Sequence, residues 1–564
     1  MKSVFTFGIS IILFCATVNA QTPIPYAINK KVEGKGAAVV SAHPLASEAG
    51  LKMLQQGGNA VDAAIATQLA LAVVYPGAGN LGGGGFMLAK LSNGQRIAID
   101  YRETAPAKAF KDMYLDSAGN PDVKLSIVGP MASGVPGTVA GLFASLPHAK
   151  LPFKKLIEPA IELAEKGFPI TAAQASSFNS NKNAFERNNS APVAFVKKEA
   201  WKEGDLLVQP QLSATLKRMQ QKGAKGFYKG TTAAMIIKTM QSSNGIISFK
   251  DLQQYKAKKR KPTSFFYKGY EVLGMPMPSS GGLLVEQMMK MIEDKNIASM
   301  GFQTSESVQL ITEVERRAFA DRGTYMGDAD FVKVPVKTLS SEAYLRERMR
   351  DFVPGKAGSS SVTKEGQISE SEETTHISIV DEAGNAVAVT TTLNGNYGSY
   401  TVVEGAGFLL NNEMDDFSVK PGAPNMYGAL GKAANAIAPG KRMLSSMTPT
   451  IVLKNNNPYI VVGTPGGTTI PTSVFQSLIN ILEFELSEED AVNKPKFHHQ
   501  WLPDQIDVER GFPKHVIEEL KVMGYKVHTR GEIGRTELIR ITFDNGRKII
   551  AIADKRGDDA AVGY

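Results

Sequence analysis

Two threonines, Thr374 and Thr392, open the question of chemistry. They lie in residues 371–394, SEETTHISIVDEAGNAVAVTTTLN, where Glu382-Ala383-Gly384 stands between Asp381 and Asn385. That is the length and glycine placement of a three-residue hairpin loop. Pairing Asp381 with Asn385 puts Thr374 opposite Thr392, with Cβ atoms about 4.5–5.5 Å apart on one face. If the bond between Glu373 and Thr374 is cut, Thr374 acquires a free α-amine whose reference pKa is about 7.7–8. Such an amine can act as general base for the hydroxyl beside it, with no histidine required. The same hydroxyl can make the cut, by attacking the Glu373 carbonyl to give an ester that water hydrolyses. The plainer alternative is a threonine pair that merely suits a sheet. Against it stands the aperiodic, Ser/Glu-rich stretch Pro354–Glu373, which reads as a mobile loop ending at Thr374.

Other groups complement a nucleophile. In YIVVGTPGGTTIPTSVF a buried strand runs into a helix through Gly466 and Gly467, whose N–H groups at a helix N-terminus suit a developing oxyanion. An ordinary strand-to-helix turn reads the same way. Arg102 in DYRETAPAKA, and Glu413, Asp415 and Asp416 in LLNNEMDDFS, are singly the material of surface ion pairs. Together they suit a zwitterion, the arginine holding a carboxylate and the acids an ammonium.

Several chemistries are excluded. The one cysteine, Cys15, lies in the leader, so the mature chain offers no thiol nucleophile and no thiolate ligand. None of the seven histidines stands in an H-E-x-x-H spacing, and His498-His499 are adjacent, so they point apart on a regular element. G-x-S-x-G and P-loop motifs are missing. Gly77–Gly82 matches G-x-G-x-x-G, but it follows a helix and opens a hairpin instead of joining strand to helix, so it is no dinucleotide fingerprint. The net charge of +8 is dispersed apart from KAKKRK at 256–261, which reads as a solvated face or loop, with no nucleic-acid partner implied.

The elements that position these residues are legible in outline. Residues 1–20 carry Lys2, an apolar run and Val18-Asn19-Ala20, the pattern of a signal peptide ahead of Gln21, too short in its apolar run for a stable membrane anchor. A hydrophobic fraction of 43% and a charged fraction of 21% describe a globular chain. Its 564 residues allow about three domains or one large interleaved one. The pattern predicts a strand at AAVVSA, a helix over PLASEAGLKMLQQGG closed by Gly57-Gly58, a second over NAVDAAIATQLALAVVYP with Asn59 as cap, and a hairpin of GFMLAKL with QRIAIDY. The middle, about 125–350, is mainly helical, and strands return at HISIVD, AVAVTTTL, TPTIVLK, PYIVVG, IRITFD and KIIAIAD. Strands and helices in blocks argue for helices layered over antiparallel sheets, an α+β architecture.

With these residues assembled, the chain resembles the γ-glutamyltranspeptidase family of N-terminal nucleophile hydrolases. The blocks that carry the resemblance run in order over nearly all of residues 35–564: GGNAVDAAIA, GNLGGGGFML, DYRETAPAKA, MPSSGG, TTHISIVD, LLNNEMDDFS, RMLSSMTPTIV, GTPGG, FHHQWLPD and AAVGY. The resemblance implies a four-layer αββα sandwich, made as one precursor that cuts itself into a large subunit, 21–373, and a small one, 374–564, in a single interleaved domain. It implies Thr374 as nucleophile assisted by Thr392, and an oxyanion hole at Gly466 and Gly467. Arg102, Ser445 and Ser446 would hold the α-carboxylate of a γ-glutamyl group, and Asn394, Glu413 and Asp416 its α-ammonium. Glu413 stands where some relatives have glutamine. Tyr427, in KPGAPNMYGALGKAANAIAPGKR, would belong to a lid. The implied reaction takes glutathione or another γ-glutamyl compound to an ester on Thr374, resolved by water or by an amino-acid or dipeptide acceptor, with no cofactor or metal. The leader implies export, to a periplasm or outside the cell. A glutaryl β-lactam acylase, a poly-γ-glutamate transferase and an inactive exported binding protein are the alternatives.

Overall fold

The computed structural model describes residues 26–360, 374–420, 422–428, 431–544 and 546–564. The leader at 1–20 and Glu373, with most of the stretch before it, therefore lie outside the described residues.

Two seven-stranded sheets form the centre. In the first the order is Ala560–Gly563, Ala38–Ser41, Thr375–Val380, Ala386–Thr392, Gly84–Lys90, Arg96–Asp100 and Lys258–Arg260. In the second it is Lys31–Gly34, Lys548–Ala553, Glu537–Thr542, Asn457–Gly463, Thr450–Lys454, Tyr270–Gly274 and Thr263–Tyr267. Every pairing in both is antiparallel. Alternation along the strands sorts three cores. Ile377, Ile379, Val387 and Val389 face the helices Pro44–Gln55 and Ala60–Val74. Val452, Ile460, Val462 and Leu538 face Gly281–Ile292, Ser305–Tyr325 and Thr469–Leu482 on the other side. Between the sheets lie Val40, Phe86, Leu88, Ala388, Ile451, Val461 and Ile539. The result is the expected αββα sandwich, with residues from both ends of the chain interleaved in each sheet.

The hairpin forms in the register its turn predicts. Thr375 pairs with Thr391 and Val380 with Ala386. Asp381 donates its N–H to the Asn385 carbonyl at 3.1 Å, and Asn385 returns its own N–H to Asp381 Oδ1 at 2.9 Å. Gly384, with φ of +82°, closes the loop. Asp381 Oδ2 also accepts the Ala60 N–H at 2.9 Å, tying the turn to the start of a helix that Asn59 and Asp62 cap reciprocally.

Within KAKKRK, Lys258–Arg260 is an edge strand on Arg96–Asp100, and the segment keeps the solvated face expected of it, with Lys259 and Lys261 exposed. Two of its cations are paired locally, Lys258 and Arg260 with Asp330 and Arg260 also with Asp100. In the rejected glycine motif, a Cβ on Gly82 would stand 2.1 Å from the Leu409 carbonyl oxygen, so close backbone approach accounts for the residue.

The sheets meet closely at one polar point. His376 shares hydrogen bonds with Thr390 Oγ1 at 2.8 Å and Ser378 Oγ at 3.2 Å, and burial pushes its pKa down to about 3, so it is neutral. A Cβ on Gly463 of the opposite sheet would fall 2.3 Å from this ring. Gly463→Ala is expected to cost about 1–3 kcal/mol through overpacking. Differential scanning calorimetry of the variant should show a lowered Tm, and an unchanged Tm would mean the sheets are not in this contact.

Candidate active site

Thr374 directly precedes the first strand of the hairpin and Thr392 ends the second. Thr374 donates its hydroxyl to Thr392 Oγ1 at 3.4 Å, longer than the usual ~2.7–2.8 Å but in reach of tightening on ligand binding. Thr392 Oγ1 is oriented by the Asn394 N–H at 2.8 Å, and its carbonyl by Asn80 Nδ2 at 3.0 Å. The two threonines line one cavity with Arg102, Arg322, Asn394, Asp416, Asn425, Tyr427, Ser445, Ser446, Gly467 and Thr468. Its free space is about 20 Å³, room for a water or so.

Arg102 follows the strand Arg96–Asp100 and is fixed through its backbone: its N–H donates to Asp100 Oδ1 at 3.0 Å and its carbonyl accepts the Tyr255 hydroxyl at 2.7 Å. The guanidinium makes close ion pairs with Glu413 and Asp416 and lies 3.6 Å from Glu103. Burial alone would lower its pKa, but Glu413, Asp416 and Glu103 more than offset that and raise it. The carboxyls respond in kind. Burial drives Glu413 well above the usual carboxylate range against the pull of Arg102, with Glu103 and Asp416 adding to the rise. Burial also raises Asp416, opposed by Arg102 and Arg322, and pushes Glu103 up to about 8. Three carboxyls around one arginine cannot all ionise independently; they titrate as a set.

Glu413 and Asp416 come from one short 3-10 turn, Glu413–Asp416, held by Asn411 Oδ1, which accepts the N–H groups of Glu413 at 3.0 Å and Gly134 at 2.8 Å. Ser445 and Ser446 are placed by the MPSSGG block. Ser445 donates its N–H to the Pro278 carbonyl at 2.8 Å, and its carbonyl accepts Ser280 Oγ at 2.8 Å. Gly466 and Gly467, at φ +133° and +53°, lead into the helix Thr469–Leu482, and neither N–H donates to another described residue.

Tyr427 closes the cavity. Its hydroxyl donates to the Asn394 carbonyl at 2.5 Å, and its ring lies 2.6 Å from where a Gly467 Cβ would be, so only glycine fits beneath it. The segment is tied on both sides: Met426 N–H to Asp415 Oδ2 at 2.7 Å, Asn425 Nδ2 to Asp416 Oδ1 at 3.0 Å, and Gln500 Nε2 to the Tyr427 carbonyl at 3.2 Å.

Of the residues expected at the site, Thr374, Thr392, Gly467, Arg102, Asn394, Asp416, Ser445, Ser446 and Tyr427 line the cavity, and Glu373 lies outside the described residues. Glu413 does not line it. The side chain is fully buried and ion-paired to Arg102. Gly466 also stands just off the lining. Arg322 also lines the cavity; at the end of the helix Ser305–Tyr325 it reads as a basic last-turn residue favourable to the helix dipole, and no spacing marks it as pocket-facing. His498 and His499 have separate partners, Thr472 and Gln500 for the first and Asp504 for the second.

Asp415 links this site to pH. Burial pushes its pKa up to about 6, although Ser126 Oγ at 2.6 Å and the Met426 N–H favour the carboxylate. A carboxyl raised in the folded state binds a proton more tightly than in the unfolded chain, so its contribution to stability falls as pH rises from about 4 to about 6 and is level above that. Across that window Asp415 should cost about 3 kcal/mol. Denaturant titrations at pH 4 and pH 7 in a Thr374→Ala background should show Asp415→Asn gaining relative stability at the higher pH. A difference independent of pH would remove Asp415 from this role.

Comparison with known proteins places the chain in a family. Residues 46–564 match the family described as Gamma-glutamyltranspeptidase. The glutathione hydrolase proenzyme of Escherichia coli (strain K12) is 44% identical over 552 residues, covering 96% of this chain and 95% of that protein. The crystal structure of Helicobacter pylori gamma-glutamyltranspeptidase is 44% identical with a TM-score of 0.57, covering 60% of this chain and 97% of that one. A cephalosporin acylase from Bacillus halodurans, 24% identical, shares the fold with a TM-score of 0.83 over 98% of this chain and 99% of its own. On the family match across residues 46–564 and the near full-length identity, the chain belongs to the γ-glutamyltranspeptidase family.

Proposed function

We propose that this protein is an exported glutathione hydrolase and γ-glutamyltransferase proenzyme that cuts itself between Glu373 and Thr374. The observation that carries the reading is the placement of Thr374 Oγ1 against Thr392 Oγ1 in the cavity that also presents Arg102 and Asp416. A hydroxyl pair at a potential chain start, beside both signs of charge, suits a zwitterionic acyl donor.

After the cut, the α-amine of Thr374 takes the proton from its own Oγ as that oxygen attacks the γ-amide carbon. The oxyanion forms against the N–H groups of Gly466 and Gly467, which have no other described acceptor. Collapse breaks the C–N bond, and the proton returns from the α-ammonium to the departing amine, Cys-Gly when the donor is glutathione. Water, or the amine of an amino acid or dipeptide, then attacks the ester carbonyl while the Thr374 α-amine takes its proton; the acyl–Oγ bond breaks, the α-ammonium returns the proton to Oγ, and glutamate or a new γ-glutamyl amide leaves. Thr392 holds the Thr374 hydroxyl, while Ser445, Ser446, Arg102, Asn394 and Asp416 orient the donor. Residues 21–373 and 374–564 would stay together because each sheet interleaves strands from both. The leader at 1–20 directs the precursor out of the cytoplasm.

N-terminal sequencing of the smaller fragment of purified protein should read Thr-Thr-His-Ile-Ser, and Thr374→Ala should run as one uncut band on a denaturing gel. A Thr374→Ala protein that still splits into two chains would exclude Thr374 as the cutting nucleophile. The processed enzyme should prefer γ-glutamyl p-nitroanilide to glutaryl p-nitroanilide by about 10²-fold in kcat/KM, the worth of charged contacts to the ammonium. Equal rates would favour an acylase instead.

A further inference from the structure

Arg322 is a buried cation in the donor cavity whose charge nothing in the cavity claims directly. It lines the same space as Thr374 and is 7% exposed. Among the described residues its guanidinium donates only to hydroxyls, Nη2 to Ser446 Oγ at 2.9 Å and Nε to Ser280 Oγ at 3.2 Å, and no carboxylate lies within 4.0 Å of it. Burial pulls its pKa down to about 10, with Asp416 partly restoring it and Arg102 lowering it further, so it remains charged at neutral pH. A buried guanidinium facing neutral partners is costly unless an anion arrives.

Arg102 is the reverse case. Glu413, Asp416 and Glu103 already surround it, and an α-carboxylate received there alone would be a fourth carboxyl on one guanidinium. Ser446 joins the two halves of the pocket, since its hydroxyl is the acceptor for Arg322 and lines the cavity beside Arg102. The serine is in turn held by an arginine fork that has further N–H donors to offer.

We propose that Arg322 is a carboxylate-binding residue of the donor site: with Ser446 it receives the α-carboxylate of the γ-glutamyl group and so selects donors that carry one. This rests on the γ-glutamyl reading above and adds a specificity residue to it.

The test compares two p-nitroanilides on processed enzyme, the γ-glutamyl compound and that of 4-aminobutanoic acid, which keeps the ammonium and lacks the α-carboxylate. Arg322→Gln should raise KM for the γ-glutamyl donor about 30-fold or more, with a much smaller change in kcat, and leave kcat/KM for the 4-aminobutanoyl donor within about threefold. Equal losses on both donors, or no loss on either, overturn the proposal. If Arg322→Gln does not accumulate as processed enzyme, Arg322→Lys, which keeps the charge, is read in its place. It should show a smaller loss still confined to the γ-glutamyl donor. Failure of both variants to process would make Arg322 a folding residue and overturn the assignment as well. Wild-type enzyme inactive on both donors would instead sink the γ-glutamyl reading itself.

Discussion

The pairing of Thr375–Val380 with Ala386–Thr392 in the middle of a doubly covered sheet is the constraint on which the site depends. Each strand has a further neighbour, Ala38–Ser41 on one side and Gly84–Lys90 on the other, so the hairpin has no free edge. A one-residue slip would turn Ile377, Ile379, Val387 and Val389 away from the helical layer and into the narrow space between the sheets. Register is therefore enforced by the core on both faces, and the positions of Thr374 and Thr392 follow from it.

Around this frame the protein concentrates charge where water is scarce. Arg102 and Glu103, Arg322, and Glu413 with Asp416 come from three distant parts of the chain and meet within one buried cluster. Charges removed from water are tolerated when they neutralise one another. A cavity whose arginines and acids nearly balance can take in a zwitterion without changing its net charge. The raised carboxyl pKa values express the same fact, because the cluster can hold or give up protons as its occupancy changes.

The cover over the cavity is built on a different principle. Tyr427, Met426 and Asn425 are attached by individual hydrogen bonds to Asn394, Asp415, Asp416 and Gln500. Each contributes about 1 kcal/mol net, and together they hold the segment over the cavity. Two of these anchors, Asp415 and Asp416, share one turn with Glu413, which ties the cover to the buried charge cluster.

Much was legible in the residues themselves. The turn Glu382-Ala383-Gly384 and the alternation either side of it determine the hairpin and its register, because loop length and a period of two are local properties. The helix caps at Asn59 and the strand-to-helix passage through Gly466-Gly467 are local for the same reason. What only the tertiary structure decided is who meets whom across the fold. Lys258–Arg260 reads as a solvated run, and its place as an edge strand beside Arg96–Asp100, with Lys258 and Arg260 paired to Asp330 and Arg260 to Asp100, comes from the fold. Glu413 reads as a ligand contact yet lies buried against Arg102, and Arg322 reads as a helix-end cation yet enters the pocket. The physical reason is range: hydrogen-bonded turns and side-chain periodicity act within a few residues, whereas the pairing of buried charges is settled by which distant segments the two sheets bring together.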